Sequence, residues 1–292
     1  MKYSIVIPVV PKHDRLLKNV VECLSTESDL VKEIIIARSE LAPHKINQYK
    51  KFLKEISTPY NLESKMLLSY ESKNCLAYAN LNRGWMLAKG EFVTFLGADD
   101  LYAPYRLRVI DEIFRLKPKA NAILHSHFRE ELQVDLCISK SKFRPPFFWE
   151  EEKRKEGGNS LHKLIEERLI ETNEIYSSTF PTGKRDYLSE CFGNTSIKIP
   201  KNRFEIQAVT QGHISLRTDI REKLLYRPLQ YGEDGSLCLD ILENFGNVYF
   251  IALELSIYRK FLSVNRISSR LSTLKHKLLK LTPRFILKLV YN

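Results

Sequence analysis

The chain has 292 residues, 43% of them hydrophobic, enough to bury a full core as one large domain or as two halves sharing a sheet. Its formal net charge is +11, and its five cysteines (Cys23, Cys75, Cys137, Cys191 and Cys238) are scattered and odd in number. That pattern argues against a disulfide frame or a zinc site and for reduced thiols in a cytosolic compartment. No apolar run approaches the ~20 residues of a bilayer span, and the first strand begins too soon after Met1 to leave room for a signal peptide.

In chain order, Tyr3-Ser4-Ile5-Val6-Ile7-Pro8-Val9 reads as a buried strand stopped by Pro8 and Pro11. Leu16, Leu17, Val20, Val21 and Leu24 then recur at helical spacing. Lys32 to Ala37 is the next strand and Leu67 to Tyr70 a third. Ala77, Leu81, Trp85 and Ala88 line a helix closed by Gly90. Phe92 to Leu96 follows, apolar except for Thr94, as in a central strand covered on both faces. Strands alternating with helices, without hairpin signals, predict a mostly parallel α/β sheet wound by right-handed crossovers.

The strand Phe92–Leu96 runs through Gly97 and Ala98 into Asp99-Asp100. In open α/β sheets, ligands bind at the carboxyl ends of the strands. Two adjacent acids there are costly unless a cation neutralises them, and Mg²⁺ is often held by one or two carboxylates plus substrate phosphates. A solvated turn and a metal site both fit this pair alone. His125 and His127 share one face of an expected strand, with no third metal ligand in register, and read as strand residues near the cleft.

Taken together, Ser4 to Val9, Asn82-Arg83-Gly84, Ala88 to Phe92, Phe95 to Asp100 and Tyr102-Ala103-Pro104 with Leu107 resemble the nucleotide-sugar half of a family 2 glycosyltransferase with the GT-A fold. Gly232-Glu233-Asp234 and Val248 to Arg259 are similar to its catalytic-base helix and closing segment. The resemblance covers residues 3–128 and, in outline, 211–268; order and spacing carry it. It implies a GT-A-type Rossmann-like sheet, with a nucleotide-sugar half at 1–128 and an acceptor and catalytic-base half at 129–258. It implies inverting transfer of a sugar from a nucleoside-diphosphate sugar to a hydroxyl of a glycan, lipid or protein-linked acceptor. Asp99 would hold Mn²⁺ or Mg²⁺, and Pro8, Val9, Arg38, Asn82, Ala98, Asp99, Asp100 and Arg259 would contact the donor. Asp234 would act as general base and Glu233 would orient it, while His213 and Trp149 are the acceptor-side candidates. The chain departs from the family pattern at Gly97, where an acid is usual, at Ala37-Arg38-Ser39, at Leu76 and Leu81, and at Phe261. These changes keep the metal and base positions and alter the nucleoside contacts.

Two other classes stay in view. A non-catalytic or degenerate relative that binds glycan or a partner is one, on the strength of Gly97. A sugar nucleotidyltransferase is the other, although Pro8-Val9-Val10-Pro11-Lys12-His13 lacks the glycine-rich phosphate loop that class uses after its first strand.

From Glu130 to Arg203 the sequence is hardest to read. Phe143, Pro145, Pro146, Phe147, Phe148 and Trp149 form an aromatic stretch that suits a buried cluster or an acceptor pocket. A charged connection to Gly158 and a helix carrying Leu161, Leu164, Ile165 and Leu169 follow. Residues 259–292 hold nine of the 46 basic residues and no acid, which leaves 37 basic against 35 acidic residues elsewhere. Leu271, Leu274, Leu278 and Leu281 recur at helical spacing among Lys275, Lys277 and Lys280. A basic amphipathic tail suits an anionic membrane surface, and equally suits leucines packed on the body with solvated lysines. The expected location is cytoplasmic, with the tail able to bring the chain to the cytosolic membrane face. Basic residues at one end, without a recognised reader motif, do not point to nucleic acid.

Overall fold

The computed structural model of the chain describes residues 2–133, 159–171, 197–198, 205–206, 214–226, 228, 237, 240–241 and 244–262. Two compact units result: Met1–Arg129 with Lys142–Tyr258, and Glu130–Ser141 with Arg259–Asn292. The first contains both expected halves of the α/β domain apart from residues 130–141, and the second takes the basic tail.

The first unit opens with β1 (Tyr3–Val9), a 3₁₀ turn (Pro11–Leu16), α1 (Leu17–Ser25), β2 (Val31–Arg38), α2 (Ile46–Ser57), β3 (Met66–Tyr70), α3 (Ala77–Leu87) and β4 (Phe92–Phe95). It continues with β5 (Leu101–Tyr102), α4 (Arg106–Leu116), β6 (Ala122–Gln133), α5 (Asn159–Arg168) and β7 (Leu169–Glu171). Two short strands, β8 (Ile197–Lys198) and β9 (Glu205–Ile206), pair with each other. β10 (Ile214–Arg217) and β11 (Val248–Leu262) complete the described strands. β6 and β11 each run on past the last residue assigned to this unit.

The main sheet has the order β3-β2-β1-β4-β10-β6-β11-β5, with β7 on β11. β1 pairs in parallel with both β2 and β4, and β2 with β3, as the alternation of strands and helices predicts. Beyond β4 the sheet becomes mixed, because β10 lies antiparallel to both β4 and β6.

Residues along β1 alternate between the two faces of the sheet. Tyr3, Ile5, Ile7 and Val9 join a core with Leu17, Val20, Val21 and Leu24 of α1 and Leu53 of α2. Val6 points into a second core with Leu81 and Trp85 of α3, Phe95, Tyr226, Leu237 and Ile241. Both faces of β1 are covered, which is why its sequence is continuously apolar. Trp85 is fully buried, edge-on to Phe95 with ring centroids 5.4 Å apart. Truncating such a side chain to alanine costs about 3–5 kcal/mol.

Two helices were not foreseen from the sequence: α2, which buries Tyr49, Leu53 and Ile56, and α4, which buries Leu107, Ile110, Ile113 and Phe114; nor were the short strands β5, β7, β8 and β9, and Leu169, expected on a helix, opens β7. Gly90 also serves a different purpose from the expected helix closure. α3 ends at Leu87, and the Gly90 amide donates to Ser4 Oγ at 2.7 Å. A Cβ at Gly90 would meet the Ser4 amide nitrogen at 2.6 Å, so the glycine permits close approach to β1. Among the described residues, no helix is long and apolar enough to cross a membrane.

Candidate functional site

Strand order places the site. From β1 the chain steps outward to β2 and β3, then returns to the other side of β1 with β4. The neighbours β1 and β4 therefore flank the point where the winding reverses, and the crevice beyond their carboxyl ends is where open α/β sheets hold ligands. Pro8 and Val9 end β1 there. Leu96, just past β4, is tied by its amide to Val6 O at 3.0 Å, and Gly97 to Asp100 form a turn in which the Asp100 amide donates to Gly97 O at 3.1 Å.

Within this turn the two acids have different surroundings. Asp100 and Ala98 are buried, while the Asp99 side chain is 35% exposed. His13, on the 3₁₀ turn after β1, brings Nε2 to 3.7 Å from Asp99 Oδ2. Burial pushes the His13 pKa below the ordinary histidine value, outweighing the opposing pull of the Asp99 charge. The imidazole thus faces the Asp99 carboxylate beyond the end of β4.

Gly97 has a steric reason. A Cβ there would lie 2.6 Å from Asp100 Oδ2 and 3.1 Å from Asp99 Oδ1. The two carboxylates fold back over the backbone at this residue and occupy the space that a side chain would need.

Arg38 and Asn82, both expected to contact a donor, engage the protein itself. The buried Arg38 guanidinium forms a fork on Asp14, with Nε to Oδ1 at 3.0 Å and Nη2 to Oδ2 at 2.9 Å, and also donates to Ser39 O. Tyr49 Oη donates to the same Asp14 at 2.7 Å. This cluster anchors the turn that carries His13. Asn82 clasps the backbone of Tyr226, donating to its carbonyl and accepting from its amide, each at 2.9 Å. Neither partnership has a sequence signal, because each joins residues far apart in the chain.

Beneath the turn lies a buried polar seam. Thr94 Oγ1 donates to Ile214 O at 3.0 Å and accepts from Arg106 Nη2 at 2.7 Å and Ser215 Oγ at 3.0 Å. The fully buried Arg106 guanidinium stacks 3.6 Å from the centroid of Tyr102, whose hydroxyl donates to Phe95 O at 3.1 Å. Glu27 closes the N-terminus of α4 by accepting from the amides of Leu107 and Arg108 at 3.0 and 2.8 Å. Burial raises its pKa to about 7 against the lowering effect of those bonds. The seam fixes β4, β10 and α4 under the acidic turn.

Of the other expected residues, His125, His127 and Arg259 are described. His125 and His127 are buried in β6 as expected, with His127 edge-on to the Tyr258 ring at 5.7 Å. Among the described residues, no group of three or more His, Cys, Asp or Glu side chains is placed to hold a metal. Arg259 is buried and belongs to the second unit. Asp234, Glu233, His213 and Trp149 lie outside the described residues, as does the tail beyond Leu262.

No family model matches the chain, and no curated protein sequence does. Solved structures share its fold. Residues 1–349 of S. aureus TarS in complex with UDP-GlcNAc match with a TM-score of 0.55 at 12% identity, over 90% of this chain and 60% of that one. The complex of the same TarS fragment with UDP gives 0.54 at 12%, over 89% and 61%. Another TarS structure gives 0.51 at 12%, over 89% and 37%. The chain therefore spans between 37% and 61% of the length of these structures. At such identities the likeness establishes the fold, which is GT-A-like.

Proposed function

We propose that the chain is an inverting, nucleotide-sugar-dependent hexosyltransferase of the family 2 type, working in the cytoplasm on a glycan or lipid-linked acceptor. The observation that carries this reading is the half-exposed Asp99 at the end of β4, faced by His13 where the strand order reverses. The fold shared with a protein solved in complex with UDP-GlcNAc and with UDP supports it.

The donor set at the crevice suits Mn²⁺ or Mg²⁺. Asp99 offers one partly exposed carboxylate and Asp100 a second acid behind it, which matches ions that keep several waters and take their remaining ligands from substrate phosphates. When bound, such an ion supplies positive charge against the leaving diphosphate. The protein's own part is placement. Arg38 and Asp14 hold the turn of His13, and the seam beneath holds β4.

On this reading Asp234 takes the proton from the acceptor hydroxyl as that oxygen attacks from the face opposite the diphosphate, and Glu233 orients it. The crowding at Gly97 bears on the degenerate alternative. With Asp99 and Asp100 folded over the glycine, an additional acid at that position would displace them, so its absence is compatible with an intact acidic pair.

A thermal-shift screen of nucleoside diphosphates, with and without Mn²⁺, tests the binding half of the proposal. A diphosphate present at 100 times its Kd stabilises the folded state by about 2.7 kcal/mol. Metal-dependent stabilisation by at least one nucleotide is expected, and its absence for every nucleotide refutes donor binding. Asp234→Asn separates binding from chemistry: nucleotide stabilisation survives while sugar transfer falls at least ~10²-fold.

A further inference from the structure

β1 and β4 are parallel neighbours with Val6 opposite Phe95, so the loops that follow them leave the sheet side by side at the same end. Each loop is tied down on both sides of one side chain with ligating atoms. After β1, Pro11 starts the 3₁₀ turn, and the His13 amide closes it on Val10 O at 2.9 Å. The next residue, Asp14, is held by Arg38 and Tyr49. After β4, the Leu96 amide is bonded to Val6 O and the Asp100 amide to Gly97 O, with Asp99 between them in the chain. His13 and Asp99 thus meet from two anchored stretches of backbone.

Their Nε2 to Oδ2 separation is 3.7 Å. A direct N–H···O bond spans about 2.7–3.2 Å. A bridging water, with two bonds of ~2.8 Å, needs about 4.5 Å. Two ligand atoms on one divalent ion, each at ~2.1 Å, lie from ~3.0 Å apart when adjacent to ~4.2 Å when opposite. The pair falls inside this last interval. Both side chains are partly exposed, by 20% for His13 and 35% for Asp99, so an ion with its remaining ligands can approach them.

We propose that His13 Nε2 is a second protein ligand, beside Asp99 Oδ2, of the divalent ion, and that it makes the site select transition ions over Mg²⁺. This rests on the reading of Asp99 as a metal-bearing carboxylate and adds the group that decides which metal is held. A carboxylate with waters and phosphate oxygens is an all-oxygen set, which suits Mg²⁺. An imidazole nitrogen suits first-row transition ions instead, with affinity rising from Mn²⁺ through Co²⁺. Gly97 offers no side chain and Asp100 is buried, so the His13 loop supplies a ligand that the acidic turn does not. Of the other charged groups around the imidazole, Asp14 is occupied by Arg38 and Tyr49, and Lys12 and Arg15 are donors only.

The full chain with Mn²⁺, alone and with UDP, gives the direct readout. Electron spin echo envelope modulation of the bound Mn²⁺ should show a directly bonded nitrogen in the parent and lose it in His13→Gln, with the circular dichroism spectrum unchanged. By titration calorimetry the parent should bind Co²⁺ at least ~10-fold more tightly than Mg²⁺, and His13→Gln should bring the two affinities to within ~3-fold. His13→Glu returns a ligand of the oxygen type, so it should recover binding while keeping the lowered ratio. Mn²⁺ that binds, is lost in Asp99→Asn and carries no nitrogen coupling overturns the assignment of His13, leaves Asp99 as the metal carboxylate and makes the two residues an ion pair only. Coupling that persists in His13→Gln, or a Co²⁺ to Mg²⁺ ratio unchanged by that substitution, overturns it as well. A parent that binds no Mn²⁺, with or without UDP, overturns both this assignment and the metal reading of Asp99.

Discussion

Thr94, Arg106, Tyr102 and Glu27 are polar groups enclosed under the end of β4, whereas Asp99 and His13 stand beyond that end with their facing atoms partly open. In the seam each bond closes on another part of the fold: Thr94 on Ile214, Tyr102 on Phe95, Glu27 on the first amides of α4. At the crevice the half-exposed carboxylate meets an imidazole at 3.7 Å, beyond the range of a direct hydrogen bond. The same residue types do different work because of what surrounds them. The seam's groups bond to the fold itself, although Arg106 Nε and Nη1 find no hydrogen-bond partner there, whereas the Asp99 side chain keeps 35% of its surface in solvent.

The contrast is broken most directly at Asp99. Asp99→Asn should lower metal-dependent donor binding and transfer by ~10²-fold or more and shift the thermal midpoint less than a substitution in the seam does. Equal donor binding with metal in the variant and the parent would remove Asp99 from the site. A drop in stability as large as that expected for the seam would erase the distinction between the two regions.

Glu27 gives the reverse result. Its folded-state pKa of about 7 lies above the ordinary glutamate value of 4.5, so the folded chain keeps a proton that the unfolded chain has released. The stability linked to that proton is complete below pH 4.5, falls as pH rises through the interval up to about 7, and is gone above it. The loss amounts to about 3 kcal/mol at most. Denaturant unfolding from pH 4 to 8 should show this slope in the parent and lose it in Glu27→Gln, with nucleotide binding retained. A slope unchanged in Glu27→Gln would assign it elsewhere.

The smallest effect sharpens the view of the crevice. The Asp99 carboxylate raises the His13 pKa against the larger lowering by burial, so Asp99→Asn should move it further down. An NMR titration of the imidazole reads that shift, and an unchanged pKa would mean that the two groups do not face each other in solution.

Legibility from sequence follows the range of the interactions. β1 to β4, α1 and α3 are visible because continuous apolar runs and helical spacing are local properties, and so is the acidic turn that follows β4. α2 carries Tyr49, Leu53 and Ile56 at helical spacing, but these lie among Lys50, Lys51, Lys54 and Glu55 and form no conspicuous run. The insertion of β10 between β4 and β6 has no local trace, since strand pairing is decided across the whole chain. Arg38 and Asn82 teach the same lesson at the site. Their positions are legible, while the partners that occupy them, Asp14 and Tyr226, become apparent only once the chain is folded. The steric reason for Gly97 is equally invisible beforehand, because it depends on how two neighbouring side chains turn.

The position of β10 also orders events during synthesis. Thr94 and Ile214, bonded across adjacent strands, are separated by 120 residues of chain. At about 5–20 residues per second a ribosome needs on the order of ten seconds to cover that interval. For that time β1, β2, β3 and β4 can assemble as a parallel block, but the β4 side of the block has no strand to pair with. A newly made chain therefore passes through a stage with an open, strongly apolar edge at Phe92–Phe95, the kind of surface that chaperones bind and neighbouring nascent chains can capture.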